Sequence, residues 1–324
     1  MKALVTGCTG FVGSHLVDLL LREGVAVYGI VYQHGKGENV LPDDVHLIEG
    51  DISDPALWER TIAEVRPDQV YNLAAVTSVP GSLEAPRKTY DVNVTGLLNL
   101  FEAVRQFGLQ CRILNISSAQ VYGSLPADCE AFHEGGAVNP STPYAASKIM
   151  GEILAASYVK AYGLNVISVR PFNHIGPRQS AEFVCSDFAR QMVEVQMGVH
   201  PPILFTGNLD AERDFTDVRD VVAAYWSLLR NGRAGEIYNV CSGTVYRLRT
   251  IVDRLQSLAG VHIELRTDPA RLRTKDNTRL CGNPAKIREA TGWLPRIPLD
   301  TTLADLLQYW KTKSVADKSA AVLP

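Results

Sequence analysis

Short apolar runs alternate with amphipathic stretches through the first half of the chain. Ala3, Leu4, Val5 and Thr6 predict a strand over residues 3–6. Leu16, Leu19 and Leu20 recur at helical spacing over 15–22, and Gly24 stands where a helix stop favours glycine. Further β-rich runs occupy 25–31, 46–49, 69–73, 111–116 and 165–169. Helical patterns cover 89–106, with Gly108 just past the end, and 144–158. Strands and helices alternating at this spacing predict right-handed βαβ units, and so a parallel sheet covered on both faces. After about residue 170 the rhythm breaks, with Pro171, Gly176, Pro177, Pro201, Pro202 and Gly207 punctuating the chain. The expected organisation is a nucleotide-binding domain over 1–170 and a smaller mixed α/β lobe over 171–311, with segments returning to the sheet. A tail over 312–324 shows no periodic apolar face and is expected to be loosely held.

Composition narrows the class without changing that picture. A chain of 324 residues, 46% hydrophobic and 21% charged, can bury a large core. Disordered, collagen-like and coiled-coil readings are excluded. Lys and Arg number 32 against 35 Asp and Glu, a net charge of −3 with no basic stripe, so neither nucleic acid nor a membrane surface is the expected partner. No apolar run approaches the ~18 residues of a membrane span. The N-terminus, MKALVTG, enters the first strand pattern without a signal-peptide layout. The six cysteines are scattered with no C-x-x-C pair, which argues against a disulfide framework and a zinc site and for free thiols in the cytoplasm. The seven histidines form no metal-binding cluster, so no metal is expected.

Chemistry enters at TGCTGFVGSH, between the first strand and the first helix. Gly7, Gly10 and Gly13 are spaced G-x-x-G-x-x-G. The first allows a tight turn, the second close approach of a pyrophosphate, and the third close packing of helix on strand. The phosphates would meet the N–H groups of Phe11, Val12 and Gly13 at the helix N-terminus. With the βαβ alternation above, the expectation is a Rossmann-type, doubly wound α/β sheet binding a dinucleotide. A carboxylate at the end of the second strand would hold the ribose 2′-hydroxyl of NAD. The chain has Val31, Tyr32, Gln33, His34, Gly35 and Lys36 there, so NADP(H) is favoured and NAD(H) stays possible. His34 and Lys36 face either a 2′-phosphate or solvent. Asp51, beside Ile52, either accepts from the adenine amino group or caps a helix.

Tyr144 and Lys148 form Y-x-x-x-K, one face of one helix. An ammonium near the phenol would lower its pKa from about 10 and make Tyr144 a general acid or base. Ser117 and Ser118 end the fifth strand, where open α/β sheets bind ligands. TGCTGFVG, GDISD, NLAA, SSAQVYG, YAASK and RPFN occur in this order over roughly residues 1–311, and together they resemble the extended short-chain dehydrogenase/reductases of the nucleotide-sugar branch. The resemblance implies that Ser118 hydrogen-bonds the reacting sugar oxygen, that Tyr144 exchanges its proton, and that Lys148 holds the nicotinamide ribose and tunes Tyr144. It implies a cofactor groove lined by Leu73, Ala74 and Ala75, with Asn93 in a proton relay or supporting the helix. It also implies a homodimer through the helices at 89–106 and 144–158, where Leu97, Leu98, Val104, Ile149 and Ile153 serve either a seam or the core.

The 4,6-dehydratases of that family carry Asp-Glu, or at least Glu, after their Ser/Thr, to remove a proton and expel a hydroxyl. This chain has Ala119 and Gln120, and an amide cannot cycle between acid and base. Dehydration is not expected. RPFNHIGPRQ, GNLDAERDFTDVRDVVAAYW, YNVCSG and TGWLPRIPL resemble the GDP-6-deoxy-4-keto-mannose reductases, which form GDP-rhamnose. By that resemblance Asn173, Arg178, Arg213 and Arg273 contact a GDP-sugar, and Asp276 clamps the nucleotide ribose, although relatives have a glutamate there. For Arg213 the alternative is a surface ion pair with Asp214 or Asp217. An NAD-dependent UDP-hexose 4-epimerase and a non-catalytic cofactor sensor are the competing functions.

Overall fold

The computed structural model describes residues 1–32, 39–125, 129–271 and 279–321, with side chains described as far as residue 315. β1 (Lys2–Thr6) buries Ala3 to Thr6 in succession, as a strand covered on both faces must. It is followed by α1 (Phe11–Arg22), β2 (Ala26–Val31) and β3 (His46–Glu49). α2 (Pro55–Val65) starts at Asp54, whose carboxylate accepts the Ala56 N–H at 3.0 Å, with proline at the first helical position. Then come β4 (Gln69–Asn72), α3 (Val79–Glu84), α4 (Pro86–Tyr90), a π-turn over Asp91–Thr95, and α5 (Gly96–Gln106). β5 (Arg112–Ile116) leads through a short 3₁₀ turn, Ala119–Tyr122, towards α6 (Pro143–Tyr162). Thr142 caps α6 and Gly163, at φ 70°, ends it. β6 (Asn165–Pro171) closes the first half.

The second half comprises β7 (Asn173–Ile175), α7 (Val184–Gln196), β8 (Ile203–Thr206), β9 (Glu212–Asp217), α8 (Val218–Asn231) and β10 (Ile237–Val240). It continues with β11 (Val245–Arg247), α9 (Leu248–Ala259), β12 (Glu264–Thr267), β13 (Arg279–Leu280), α10 (Ala285–Thr291) and α11 (Leu299–Ala321).

The main sheet has seven parallel strands in the order β10-β6-β5-β4-β1-β2-β3. This is a Rossmann-type α/β fold. Successive side chains of β1 serve opposite faces. Ala3 and Val5 pack with Leu16, Val17 and Leu20 of α1 and Val221, Tyr225 and Leu228 of α8. Leu4 packs with Trp58 and Ile62 of α2, Phe101 of α5 and Ala155 of α6. β10 belongs to this sheet although it follows the second lobe's first strands, and α8 lies on the sheet beside α1.

The second lobe has its own core, where Phe188 and Met192 of α7, Ile251 and Leu255 of α9, and Leu303 and Leu306 of α11 meet. β9 pairs with β7, β11 and β13, and β8 pairs with β12. Two sequence expectations are corrected here. Helix α2 lies where none was expected, although Leu57, Trp58, Thr61, Ile62 and Val65 have helical spacing and are buried. The segment read as a loose tail continues α11 to Ala321. It is rich in Ala and Lys, which favour helix without needing an apolar stripe.

Candidate active site

The strand order reverses between β1 and β4, and the crevice beyond their C-terminal ends is where such sheets bind ligands. Gly7 turns the chain off β1 at φ 66°, a region open to glycine. A Cβ there would sit 3.0 Å from the Ala74 nitrogen, so this turn packs directly on the segment after β4. A Cβ at Gly13 would lie 2.1 Å from the Gly7 carbonyl oxygen and 2.8 Å from the Cys8 Cα. Only glycine allows α1 to start this close to β1. Gly10 caps α1 without a side-chain bond, and the first turn has no acidic residue. The uncapped N-terminus of a 12-residue helix thus faces the crevice through Phe11, Val12 and Gly13, which suits a pyrophosphate. Thr6 fastens the opposite wall: its hydroxyl donates to Asn72 and accepts the Ala74 N–H at 2.9 Å. Leu73 and Ala75 flank that bond, both half-buried.

Asp51 and Ile52 follow β3. The Asp51 Oδ1 accepts the Ser53 N–H at 2.9 Å and the Ser53 hydroxyl at 2.7 Å, and the capping role falls to Asp54. The other Asp51 oxygen has no hydrogen bond among the described residues. Tyr32, just past β2, is 69% exposed. Gln33, His34 and Lys36 lie outside the described residues, as do Arg273 and Asp276.

Ser118, Tyr144 and Lys148 are brought together. Ser118 caps the turn after β5 and accepts the Gln120 N–H at 3.2 Å. It also hydrogen-bonds the Tyr144 hydroxyl. Lys148 Nζ lies 5.7 Å from the Tyr144 ring centroid and donates to the Ile116 carbonyl at 2.9 Å. Both side chains are buried. The expected lowering of the phenol pKa is not what this geometry produces. Burial raises Tyr144, the Ser118 bond opposes it more weakly, and burial pushes Lys148 down to about 8. The physical reason is that Lys148 spends its ammonium on a backbone carbonyl, and desolvation of the phenolate outweighs the rest.

Asn93 lies within the π-turn. Its amide oxygen accepts the Val76 N–H at 2.8 Å, and its NH₂ donates to the Val76 carbonyl and the Ser147 hydroxyl. Ser147 in turn donates to the Tyr144 carbonyl at 2.7 Å. With its donors and acceptor engaged by protein, the Asn93 side chain supports the tyrosine helix.

On the second lobe, Asn173 opens β7 opposite Phe215 of β9. Arg213 of β9 is half-buried and donates to the Glu212 carbonyl at 2.9 Å. Asp214 accepts from the Ser242 N–H and hydroxyl and from the N–H groups of Gly243 and Gly282. Asp217 holds Arg219 and Thr302. Arg178, expected beside the substrate, forms an ion pair with Asp18 of α1 at 2.7 Å. Next to it, Phe11 stacks on His174 with centroids 5.9 Å apart, and the His15 Nε2 meets the Pro177 carbonyl at 2.9 Å. The loop after β7 is thereby seated on the cofactor helix.

Sequence reasoning missed a buried group behind the triad, in which Glu152 joins Ser117 to Arg170. Its signal was available, since Glu152 stands four residues beyond Lys148.

The family model described as GDP-mannose 4,6 dehydratase matches residues 4–306. The GDP-6-deoxy-D-mannose reductase of Pseudomonas aeruginosa is 36% identical over 312 residues, 96% of this chain and 98% of that one. The GDP-mannose 4,6 dehydratase 1 of Arabidopsis thaliana is 32% identical over 91% of this chain and 85% of its own length. Among solved structures, RMD from Pseudomonas aeruginosa complexed with NADPH superposes with a TM-score of 0.85 at 34% identity, covering 96% of this chain and 99% of that one. The Thermus thermophilus UDP-glucose 4-epimerase in complex with NAD superposes at 0.86 and 31% identity, with the same coverage.

Proposed function

Because the chain belongs to the GDP-mannose 4,6-dehydratase family, a family of NAD(P)-dependent nucleotide-sugar enzymes, we propose that it reduces the 4-keto group of a GDP-linked 4-keto-6-deoxy sugar with NADPH. The observation that carries this reading is the surroundings of Ser118. Ala119 is buried and apolar, and Gln120 is an amide, so the two positions after Ser118 offer no acid–base pair for elimination. What it retains is the equipment for redox at one carbon.

Reduced nicotinamide supplies the hydride when bound. The protein does the rest. The Ser118 hydroxyl polarises the sugar carbonyl, and Tyr144 hands its proton to the oxygen as negative charge develops there. Burial keeps Tyr144 protonated before the reaction, the state a proton donor needs. The Ser118 hydroxyl favours the phenolate left behind, while the Lys148 ammonium stays on the Ile116 carbonyl, 5.7 Å from the ring centroid. Asn173 and Arg213 suit the sugar-nucleotide diphosphate, a guanidinium being well matched to phosphate oxygens. Incubation with GDP-mannose and NADP⁺ is expected to give no 4-keto-6-deoxy product. Formation of that product would overturn the reading of Ala119 and Gln120.

Arg213→Ala should weaken sugar-nucleotide binding by about 1.5–3 kcal/mol, the value of a charge-assisted hydrogen bond, with NADPH affinity unchanged. Calorimetric titration with GDP checks it, and a loss confined to NADPH would refute the diphosphate assignment. NADPH is expected to bind at least as well as NADH. Tyr32→Asp, at an exposed position just past β2, should move the preference toward NADH through repulsion of the 2′-phosphate. A native preference for NADH would contradict this reading.

A homodimer through α5 and α6 and a cytoplasmic location complete the proposal. Met150 and Ile153 are 44% and 64% exposed on α6, whereas Leu97 and Val104 are buried in the core. Among the described residues no helix is long and apolar enough to cross a membrane.

A further inference from the structure

Tyr144, Lys148 and Glu152 stand at i, i+4 and i+8 on α6, so the catalytic face carries a buried carboxylate one turn beyond the lysine. A carboxylate four residues from an ammonium would ordinarily turn to it. Here it turns the other way. Glu152 Oε1 accepts the Ser117 hydroxyl at 2.5 Å and the Arg170 Nε–H at 2.8 Å, and Oε2 accepts the Arg170 Nη2–H at 2.7 Å. This is the two-pronged grip of a guanidinium on a carboxylate. Arg170, at the end of β6, is held from its far side as well. Its guanidinium lies 4.7 Å from the Tyr122 ring centroid, and Nη1 reaches the Glu134 carbonyl at 3.3 Å. Lys148 is left to donate to Ile116, the residue before Ser117. The other groups around this cluster are Tyr144 on α6, Tyr122 after β5 and Glu134 beyond Arg170, with Tyr225 of α8 within electrostatic reach of Tyr144. None of them brings an unpaired carboxylate to Lys148, whose proton affinity is lowered by burial alone.

We propose that Arg170 is a positioning residue of the active site: by gripping both oxygens of Glu152 it keeps that carboxylate on Ser117 and off Lys148, so that Lys148 stays directed at the end of β5 beside Ser118. The proposal rests on the catalytic reading of Lys148, but its test needs neither substrate nor cofactor.

The cofactor-free protein, carrying ¹³C at lysine Cε, is titrated by NMR, with the Lys148 resonance assigned by its loss in Lys148→Met. The wild-type midpoint is expected at about 8. Arg170→Met releases the carboxylate, and an opposite charge within ~4–6 Å should raise that midpoint by about 1–3 units. Glu152→Gln alone should leave it in place, and Glu152→Gln combined with Arg170→Met should restore it. Turnover of Arg170→Met should fall about 10²-fold with little change in KM, as for displaced catalytic groups, and recover in the double variant. An unmoved midpoint in Arg170→Met, or a shift of about one unit in Glu152→Gln alone, overturns the proposal. Should the unpaired buried charge prevent Arg170→Met from folding, Arg170→Lys is read in the same way, because an ammonium cannot grip both oxygens. A wrong substrate assignment would silence the turnover assay and leave the titration intact, which separates the two failures.

Discussion

Tyr144→Phe is expected to lose about 10²–10⁴-fold in kcat, or about 3–5 kcal/mol of transition-state stabilisation, while NADPH binds as before. The ring stays, and with it the packing of a nearly buried side chain at the start of α6. What goes is the phenolic hydroxyl, which burial keeps protonated until the alkoxide takes its proton. Ser118 alone can polarise a carbonyl, but an aliphatic hydroxyl is too weak an acid to replace the phenol as proton donor. Single-turnover absorbance of the reduced nicotinamide checks the rate, and fluorescence titration checks the affinity. Near-wild-type turnover would remove Tyr144 from the chemistry.

Gly13→Ala is expected to be as damaging through geometry alone. Its Cβ would lie 2.1 Å from the Gly7 carbonyl oxygen and 2.8 Å from the Cys8 Cα, both backbone atoms that no rotamer change can move. α1 would have to shift away from β1, carrying its N-terminal N–H groups off the pyrophosphate position. Overpacking of this kind costs about 1–3 kcal/mol or more in stability. NADPH affinity should fall at least about 100-fold, some 2.7 kcal/mol. Thermal unfolding with and without NADPH measures both. Gly24→Ala serves as the control: Gly24 has nothing within 4 Å of a Cβ, only the strain of its φ of 72°, and it lies at the far end of α1 from the turn. Equal NADPH affinity in wild type and Gly13→Ala would show that the glycine turn does not hold the cofactor.

Much of the site was legible because its signals are local. The turn from β1 into α1 shows in three glycines within seven residues, and the tyrosine–lysine pair shows in helical spacing. The parallel sheet covered on both faces follows from the βα alternation, whereas the strand order that opens the crevice appears only in the fold. The parts that escaped depend on contacts between distant segments. Arg170 and Glu152 meet because β6 lies beside β5 and under α6. Asp214 is held by N–H groups from residues 242, 243 and 282, which no local pattern links. The ion pair of Arg178 with Asp18 forms because the loop after β7 docks on α1. The electrostatics of Tyr144 escaped for a similar reason. Spacing shows that a lysine is near, whereas the extent of burial and the Ile116 carbonyl that engages the lysine appear only in the fold. Helix α2 is the exception, since Asp54, Pro55 and an apolar stripe announce it locally.

The reductase reading is tested most directly by mixing the purified protein with a GDP-linked 4-keto-6-deoxy-mannose and NADPH and following reduced nicotinamide and product together. The expected result is one NADPH oxidised for each 4-keto sugar consumed, with a GDP-6-deoxyhexose formed and no reaction when either component is omitted. No oxidation of NADPH with that substrate, or interconversion of UDP-hexoses by protein carrying its own bound NAD⁺ without added cofactor, would contradict it.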